Sequence, residues 1–314
     1  HPGEPRAGER GAVDAGALPT LLPGGRLVTD AAQRAEVEQV WGASVPTAAG
    51  HDAGAIWGGA ASGALSAVAL AGVDPADAAD PALAARALAN AGFVVSLEVR
   101  HSAVTEHADV VLPVAPVAEK SGRFVTWEGR RRPFELVIRG TGAMSDGRVL
   151  NALAEELDVD LRLPTEEAAR AELLRLAPVA DRAPAPTVAG AAVTSPAEGE
   201  AVLATWHELI DAGRMQDGDE YLAGTAKPVF AHISAATAAE LGVAAGEQLA
   251  VNTDSGSLVV PVAIDAMPDR VVWLPTNARG YPIGATLGAT AGATVQLTRP
   301  SAPPVIGADR EETA

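Results

Sequence analysis

Apolar positions along this chain fall in short blocks whose period changes from one stretch to the next. The opening segment is rich in Gly and Pro and reads as loop as far as Gly25. Asp30-Ala-Ala-Gln33 then offers an N-cap with Gln at N3. Val37, Val40 and Trp41 share one helical face, and Gly42 suits the left-handed residue that ends a helix. A second helix, punctuated by glycines, is predicted over residues 52–64. Ala67-Val-Ala-Leu-Ala71 is a short apolar run closed by Gly72-Val-Asp-Pro75, the pattern of a buried strand and its turn. Asp80 with Pro81 starts a helix that Gly92 closes. Phe93–Val99 and Val110–Val114 read as strands, joined by a helical turn over 101–108. Fully apolar strands alternating with helices predict an α/β domain, a parallel sheet flanked by helices. Ser145 is placed to cap one further helix, on which Val149, Leu150, Leu153 and Leu157 form a single stripe.

The pattern shifts after Leu163. One charged helix, Glu166 to Leu176, precedes Ala183-Pro-Ala-Pro-Thr-Val-Ala-Gly190, which is poor in large apolar groups and reads as a linker or surface loop. Beyond it come short strands: Gln248–Thr253 and Leu258–Ile264, joined by Asp254-Ser-Gly-Ser257 as a turn with Gly at a positive φ, then Val271–Leu274 and Thr294–Thr298. Ser234 caps a compact helix ending at Gly242. One short helix among many short strands predicts a small β-barrel with a helix at a crossover. The expected organisation is an α/β domain over 1–163, a helix and linker over 164–199, the barrel over 200–300 and a tail over 301–314.

Composition narrows the function. In 314 residues, Lys+Arg number 23 and Asp+Glu 40, a net charge of −17, with 48% hydrophobic residues. Two folded domains fit that length. A field this negative repels phosphate backbones, so nucleic acid is not an expected partner. There is no cysteine, hence no thiolate nucleophile, no Cys-held zinc and no cysteinyl ligand for an iron–sulfur cluster. The uncharged stretch Ala55–Val73 is mostly Ala, Gly and Ser, which contribute little transfer energy, and reads as a buried helix running into a buried strand rather than a membrane span. A start at His1, with no basic and apolar leader, reads as a segment of a longer polypeptide.

Candidate chemistry is sparse. No G-x-x-x-x-G-K-[ST] or G-x-G-x-x-G is present, and the Gly54–Gly63 cluster reads as close helix packing. His101 and His107, near Glu98, Glu106 and Asp109, lack the i, i+4 spacing that sets two imidazoles on one helical face, and read as a solvated turn before a strand. His207 has no partner for a triad, and no G-x-S-x-G elbow positions a serine. Arg130-Arg-Arg132 is either an anion clamp or an exposed, subunit-facing charge run. The residues by themselves nominate no catalytic, cofactor-binding or metal-ligating set. They describe a scaffold.

Two segments carry a resemblance. Ala108-Asp-Val-Val-Leu-Pro113, with Glu119-Lys-Ser-Gly122-Arg-Phe124 and Trp127-Glu-Gly-Arg130, resembles a signature of the molybdopterin oxidoreductase superfamily. Ile233–Val243, Gly246 and the Asp254–Ser257 hairpin are similar to that superfamily's C-terminal dinucleotide-binding domain, a double-psi β-barrel. Gly11–Pro19, Leu22–Gly25, Thr205-Trp-His207, Asp217–Gly224 and Met267–Pro275 resemble the large peripheral-arm G-subunit family of bacterial NADH-quinone oxidoreductases, respiratory complex I. That resemblance implies a molybdopterin oxidoreductase-like part without its cofactor. It would serve as structure within a proton-translocating complex that passes electrons from NADH to quinone. The family's iron–sulfur clusters belong to an N-terminal portion rich in Cys and His, which this chain lacks. Implied partners are that portion and the other peripheral-arm subunits, on the cytoplasmic side of the bacterial membrane, with no transmembrane segment here.

The chain departs from catalytic members. Leu222-Ala-Gly-Thr-Ala-Lys-Pro228 stands where they carry a polar stretch rich in Arg, Thr and His, and Pro275-Thr-Asn-Ala-Arg-Gly280 does not match their late pterin-contacting segment. The alternative is the cofactor-binding half of a catalytic molybdopterin oxidoreductase such as a formate dehydrogenase. Glu119, Gly122 and Arg130 would then line the cofactor, with Arg123, Arg130 and Arg279 as candidate donors to its phosphates.

Overall fold

The structure, a computed structural model, describes residues 8–126, 128–176, 178 and 195–300. They form two compact units. One holds the described residues up to Val73 and from Arg86 to 178; the other holds Asp74–Ala85 and those from 195 onward. The expected linker at 183–190 and the tail over 301–314 lie outside the described residues.

The first unit opens with a short helix, α1 (Glu9–Asp14), and a two-residue ladder of β1 (Leu21–Leu22) with β2 (Arg26–Leu27), where the sequence reads as loop. The reason is tertiary: Leu22 and Val28 are buried with Val37, Val45 and Leu176 in one small cluster, and ordering follows burial. Helix α2 (Ala31–Trp41) starts as expected, with Asp30 Oδ1 accepting from the amides of Ala32 and Gln33, and stops at Gly42 with φ 69°. Gln33 does not close a capping box; its side-chain oxygen accepts from the amide of Leu27 at 2.6 Å. Helix α3 (Ala53–Ser62) is capped by Asp52 and buries Trp57 and Ala60. Among its glycines, Gly59 answers to packing, since a Cβ there would meet Leu65 Cγ at 2.9 Å.

Strands β3 (Val68–Ala71), β4 (Val94–Glu98) and β5 (Val110–Pro113) form a parallel sheet in that order. Helix α4 (Pro81–Asn90), capped by Asp80 through the Leu83 amide, links the first two. Asp109 Oδ2 accepts from the Val94 amide at 2.7 Å and helps set the register of β5 on β4. A hairpin follows, β6 (Gly122–Val125) against β7 (Arg131–Phe134).

Helix α5 (Asp146–Glu156) has Ser145 at its N-cap position, but the hydroxyl donates to Glu166 instead of capping. Of its apolar stripe, Val149 is buried against Leu97 and Val114, whereas Leu150, Leu153 and Leu157 are exposed. Helix α6 (Glu166–Arg175) does not stand apart as a linker helix: Leu176, just after it, is buried in the cluster with Leu22 and Val37.

The second unit is a closed six-stranded barrel. Its strands are β8 (Glu200–Trp206), β9 (Ala231–Ile233), β10 (Gln248–Asn252), β11 (Ser257–Ile264), β12 (Val271–Pro275) and β13 (Thr294–Thr298). They close in the order β10-β11-β9-β12-β8-β13. Pairs β11–β9 and β12–β8 are parallel and the other four antiparallel. Exchanging β8, β9 and β10 with β11, β12 and β13 reproduces every pairing and its sense, so the barrel has a pseudo-two-fold topology. Alternate residues, Leu203, Leu249, Val251, Val260, Val262 and Leu274 among them, fill its interior.

Helices α7 (Glu220–Ala223), α8 (Ala235–Leu241) and α9 (Ile283–Leu287) occupy crossovers, where the sequence had suggested α8 alone. Gly256, expected at a positive φ, does not adopt one; it is needed because a Cβ would collide with the carbonyl oxygen of Thr286. No helix among the described residues is long and apolar enough to cross a membrane.

Candidate functional site

Two places in the molecule are candidates to meet a ligand, one in each unit. In the first, the carboxyl ends of parallel strands are where open α/β sheets bind small molecules. Strand β4 ends there in Glu98, which is buried, as is Ser96 at the strand's centre. Ser96 Oγ is enclosed with no hydrogen-bond partner, a single hydroxyl sealed from any ligand. His101 and His107, on the turn that follows, are exposed, as expected of a solvated turn; Ser102 and Thr105 hold that turn through reciprocal hydrogen bonds. Among the described residues no three His, Cys, Asp or Glu side chains gather as metal ligands.

The motif Gly122–Arg130 lies on and after β6. At Gly122 a Cβ would lie 2.5 Å from Phe134 Cζ, so the bare glycine lets that ring pack across the hairpin. Phe134 in turn stacks on Phe124 with centroids 4.9 Å apart. Arg123, Arg130, Arg131 and Arg132 are all exposed, and Arg130 is held by the Glu128 carboxylate at 3.1 Å. Glu119 is half-buried on the turn before β6. The hairpin went unread in the sequence because β7 is Arg-Arg-Pro-Phe, without the apolar alternation that marks a strand.

In the second unit a shallow cleft opens between the 226–230 and 275–279 segments. Its lining includes Glu208, Lys227, Phe230, His232, Trp273 and Arg279. His232 projects outward because its neighbours Ala231 and Ile233 turn into the barrel. Its partner across the ladder is Trp273, met edge to face at 5.1 Å. The parallel pairing of β9 with β11 also brings Asp265, just past β11, to His232, with Nδ1 and Oδ2 2.5 Å apart. Among the described residues no serine or threonine hydroxyl bonds to either member of the pair, so it orients a ring without arming a nucleophile. Sequence reasoning singled out neither His232 nor Asp265, which stand 33 residues apart and meet only through strand pairing. Lys227 Nζ stands 4.0 Å from Glu208, and Arg279 is exposed. His207 is exposed, edge-on to Trp206.

Two carboxylates elsewhere on the barrel are held below the ordinary glutamate value. The backbone amide of Gly199, then the guanidinium of Arg270, lowers Glu240; the amide of Ala244, then Arg299, lowers Glu247.

Family models match both units: molybdopterin oxidoreductase over residues 10–156, and "Molydopterin dinucleotide binding domain" over 206–310. Both units are thus similar to domains of molybdopterin oxidoreductases. The chain is 53% identical over 281 residues to the NADH-quinone oxidoreductase G-subunit of Mycobacterium tuberculosis, covering 88% of this chain and 35% of that protein. It is 52% identical over 282 residues to the corresponding G-subunit of Streptomyces coelicolor, covering 88% and 34%. The chain thus spans about a third of the length of the curated relatives it matches. Acetylene hydratase from Pelobacter acetylenicus superposes with a TM-score of 0.50 at 16% identity, over 77% of this chain and 42% of that one, a likeness of fold.

The match to a dinucleotide-binding domain makes a pterin dinucleotide the ligand to test against these residues. Such a ligand needs several buried donors converging on its phosphates and polar rings. Here Phe134 packs against the motif glycine, the motif arginines are exposed, and Lys227 faces Glu208 in the cleft. Among the described residues, these groups do not fit that ligand.

Proposed function

We propose that this chain is a structural, cofactor-free segment of the large peripheral-arm subunit of an NADH-quinone oxidoreductase. In this reading it supports electron transfer from NADH to quinone without carrying an electron. Its barrel is a double-psi barrel, a reading favoured by the pseudo-two-fold pairing of its strands. The observation that carries the proposal is that the motif offers no buried donors: Arg123 and Arg130 are exposed, and Phe134 packs against Gly122. Identity to the mycobacterial G-subunit over most of the chain supports it, as does the absence of cysteine, since thiolates are what hold iron–sulfur clusters in proteins. Clusters then belong to other parts of the parent polypeptide. Its partners are that remainder and neighbouring peripheral subunits, at the cytoplasmic face of the bacterial membrane.

The test is metal and pterin content. The longer polypeptide carrying this chain, purified from its native complex, is expected to hold no molybdenum or tungsten and to release no fluorescent pterin on oxidation. Stoichiometric metal with pterin would overturn the proposal and leave the catalytic alternative.

A further inference from the structure

The run Arg130-Arg-Arg132 has two readings in the sequence, an anion clamp or a subunit-facing charge run, and the fold separates them. Arg130 is tied to the Glu128 carboxylate at 3.1 Å. In the β6–β7 ladder Arg131 stands opposite Val125, Arg132 opposite Phe124, and Arg123 opposite Pro133. Opposed residues share a face and consecutive ones alternate, so Arg123 and Arg131 lie on one face of the hairpin and Arg132 on the other. All three are exposed, and none makes an ion pair or a side-chain hydrogen bond with the described residues. Guanidiniums divided between two open faces do not converge on one small anion, which wants a concave, enclosed site.

The cluster also runs against the rest of the molecule. In a chain of net charge −17, residues 122–139 hold Arg123, Arg130, Arg131, Arg132 and Arg139 against Glu128 and Glu135. Arg123 and Arg131 sit on a diagonal of the ladder, about 7–8 Å apart at the backbone, where their like charges repel. On the other face Phe124, stacked on Phe134, stays 36% exposed beside Arg132. Exposed arginine next to an aromatic ring is a composition enriched at protein interfaces. Pro133 has no N–H to give an incoming strand and arginines precede it, so β7 is a poor edge for strand addition. Charge is what remains to be recognised.

We infer that the β6–β7 hairpin docks into a groove lined by Asp and Glu on a separate subunit of the complex, through Arg123 and Arg131 on one face and Arg132 on the other. Arginines on both faces suit a groove with two acidic walls, and carboxylates match a guanidinium with two parallel hydrogen bonds. Electrostatic steering speeds the encounter of separate molecules, whereas a segment of the same polypeptide is already held close by its tether. A second copy of this chain is a poorer occupant, since each carries −17 and the copies repel. This inference rests on the reading of the chain as a segment of a multi-subunit complex.

Phenylglyoxal, which modifies accessible guanidiniums, tests it by mass spectrometry on the native complex and on the longer polypeptide separated from its partner subunits. Arg123, Arg131 and Arg132 should be modified about 10-fold slower in the complex, and the difference should vanish as NaCl is raised to about 1 M. Equal rates in the two would overturn the inference while leaving the cofactor-free reading standing. Slowing by phosphatidylglycerol vesicles or by inorganic phosphate, with those rates equal, would assign the hairpin instead to a membrane surface or to an anion clamp. Slow modification already in the separated polypeptide would overturn the inference in favour of its own remainder or a second copy. Protection that survives about 1 M NaCl would overturn the acidic groove in favour of apolar packing. A polypeptide that purifies with no partner subunits would overturn the complex reading and the inference together.

Discussion

Replacing Thr237 by Val isolates one hydroxyl in the lock that ties α8 to the turn between β11 and β12. Thr237 is buried, and its Oγ1 accepts from the Arg270 amide at 2.8 Å and lies 3.0 Å from Ser234 Oγ. Ser234 Oγ accepts from the Thr237 amide at 3.1 Å and donates to Asp269 Oδ1 at 2.6 Å. Arg270 sits at φ 53°, a left-handed conformation that costs a non-glycine residue about 1–2 kcal/mol and persists only where neighbours hold it. Its guanidinium adds bonds to the Pro196 carbonyl at 2.8 Å and to Glu240 at 3.0 Å. Valine keeps the shape of threonine and deletes the acceptor, so the Arg270 amide is left without its partner. An orphaned amide costs about 1–3 kcal/mol, and the strained turn loses a restraint, for an expected loss of about 2 kcal/mol. Thr237→Ser keeps the hydroxyl, deletes a methyl and should cost about 1 kcal/mol. Urea unfolding followed by far-UV circular dichroism measures both. A Val variant within about 0.5 kcal/mol of the parent, or a Ser variant less stable than Val, would refute the assignment of the lock to this hydroxyl.

Other perturbations probe the same physics elsewhere. Leu274→Ala empties a fully buried site in the barrel and should cost about 3 kcal/mol in the same urea assay, a loss under about 1 kcal/mol showing that the interior collapses around it. Gly256→Ala forces a methyl toward the Thr286 carbonyl and should cost about 2 kcal/mol, although its φ suits alanine; no loss would mean the approach relaxes freely. Glu240 is held below its ordinary 4.5 by the Gly199 amide and then by Arg270. Its contribution is therefore present above that value and lost as pH falls through the folded-state pKa, where the unfolded chain binds the proton first. Wild-type stability should consequently fall more steeply on acidification below 4.5 than that of Glu240→Gln, and parallel acid limbs would contradict this. Gly122→Ala should destabilise by about 1–3 kcal/mol through its clash with Phe134, and Phe134→Leu should relieve part of that loss when combined with it; independence of the two changes would remove the packing role given to this glycine.

Much of the local architecture was legible from short-range chemistry. Asp30, Asp80 and Ser234 cap the helices they precede, because a side-chain oxygen two or three residues ahead meets a free amide wherever the chain later packs. The apolar runs at β3, β4 and β5 and the two strands β10 and β11 with the turn between them were likewise visible, since short apolar runs and turn residues are properties of neighbours in sequence. The candidate site was far less legible. Asp265 reaches His232 through a strand pairing, Phe134 fills the place of a Gly122 side chain from across a hairpin, and neither contact leaves a trace within a window of residues.

Left to itself, then, the order of amino acids determined where the capped helices and the apolar strands lie, which chemistry is unavailable without cysteine, and the surplus of negative charge. Tertiary structure decided the rest. Ser145 turns from its own helix to Glu166 because that carboxylate is brought within reach. The leucines of α5 look like core on a helical wheel, yet most of the stripe is exposed, because burial depends on which surface arrives opposite. Caps and periodicities act over a few residues and survive in any context, whereas register, close approach and exposure depend on groups tens of residues apart, and those distances exist only once the chain has folded.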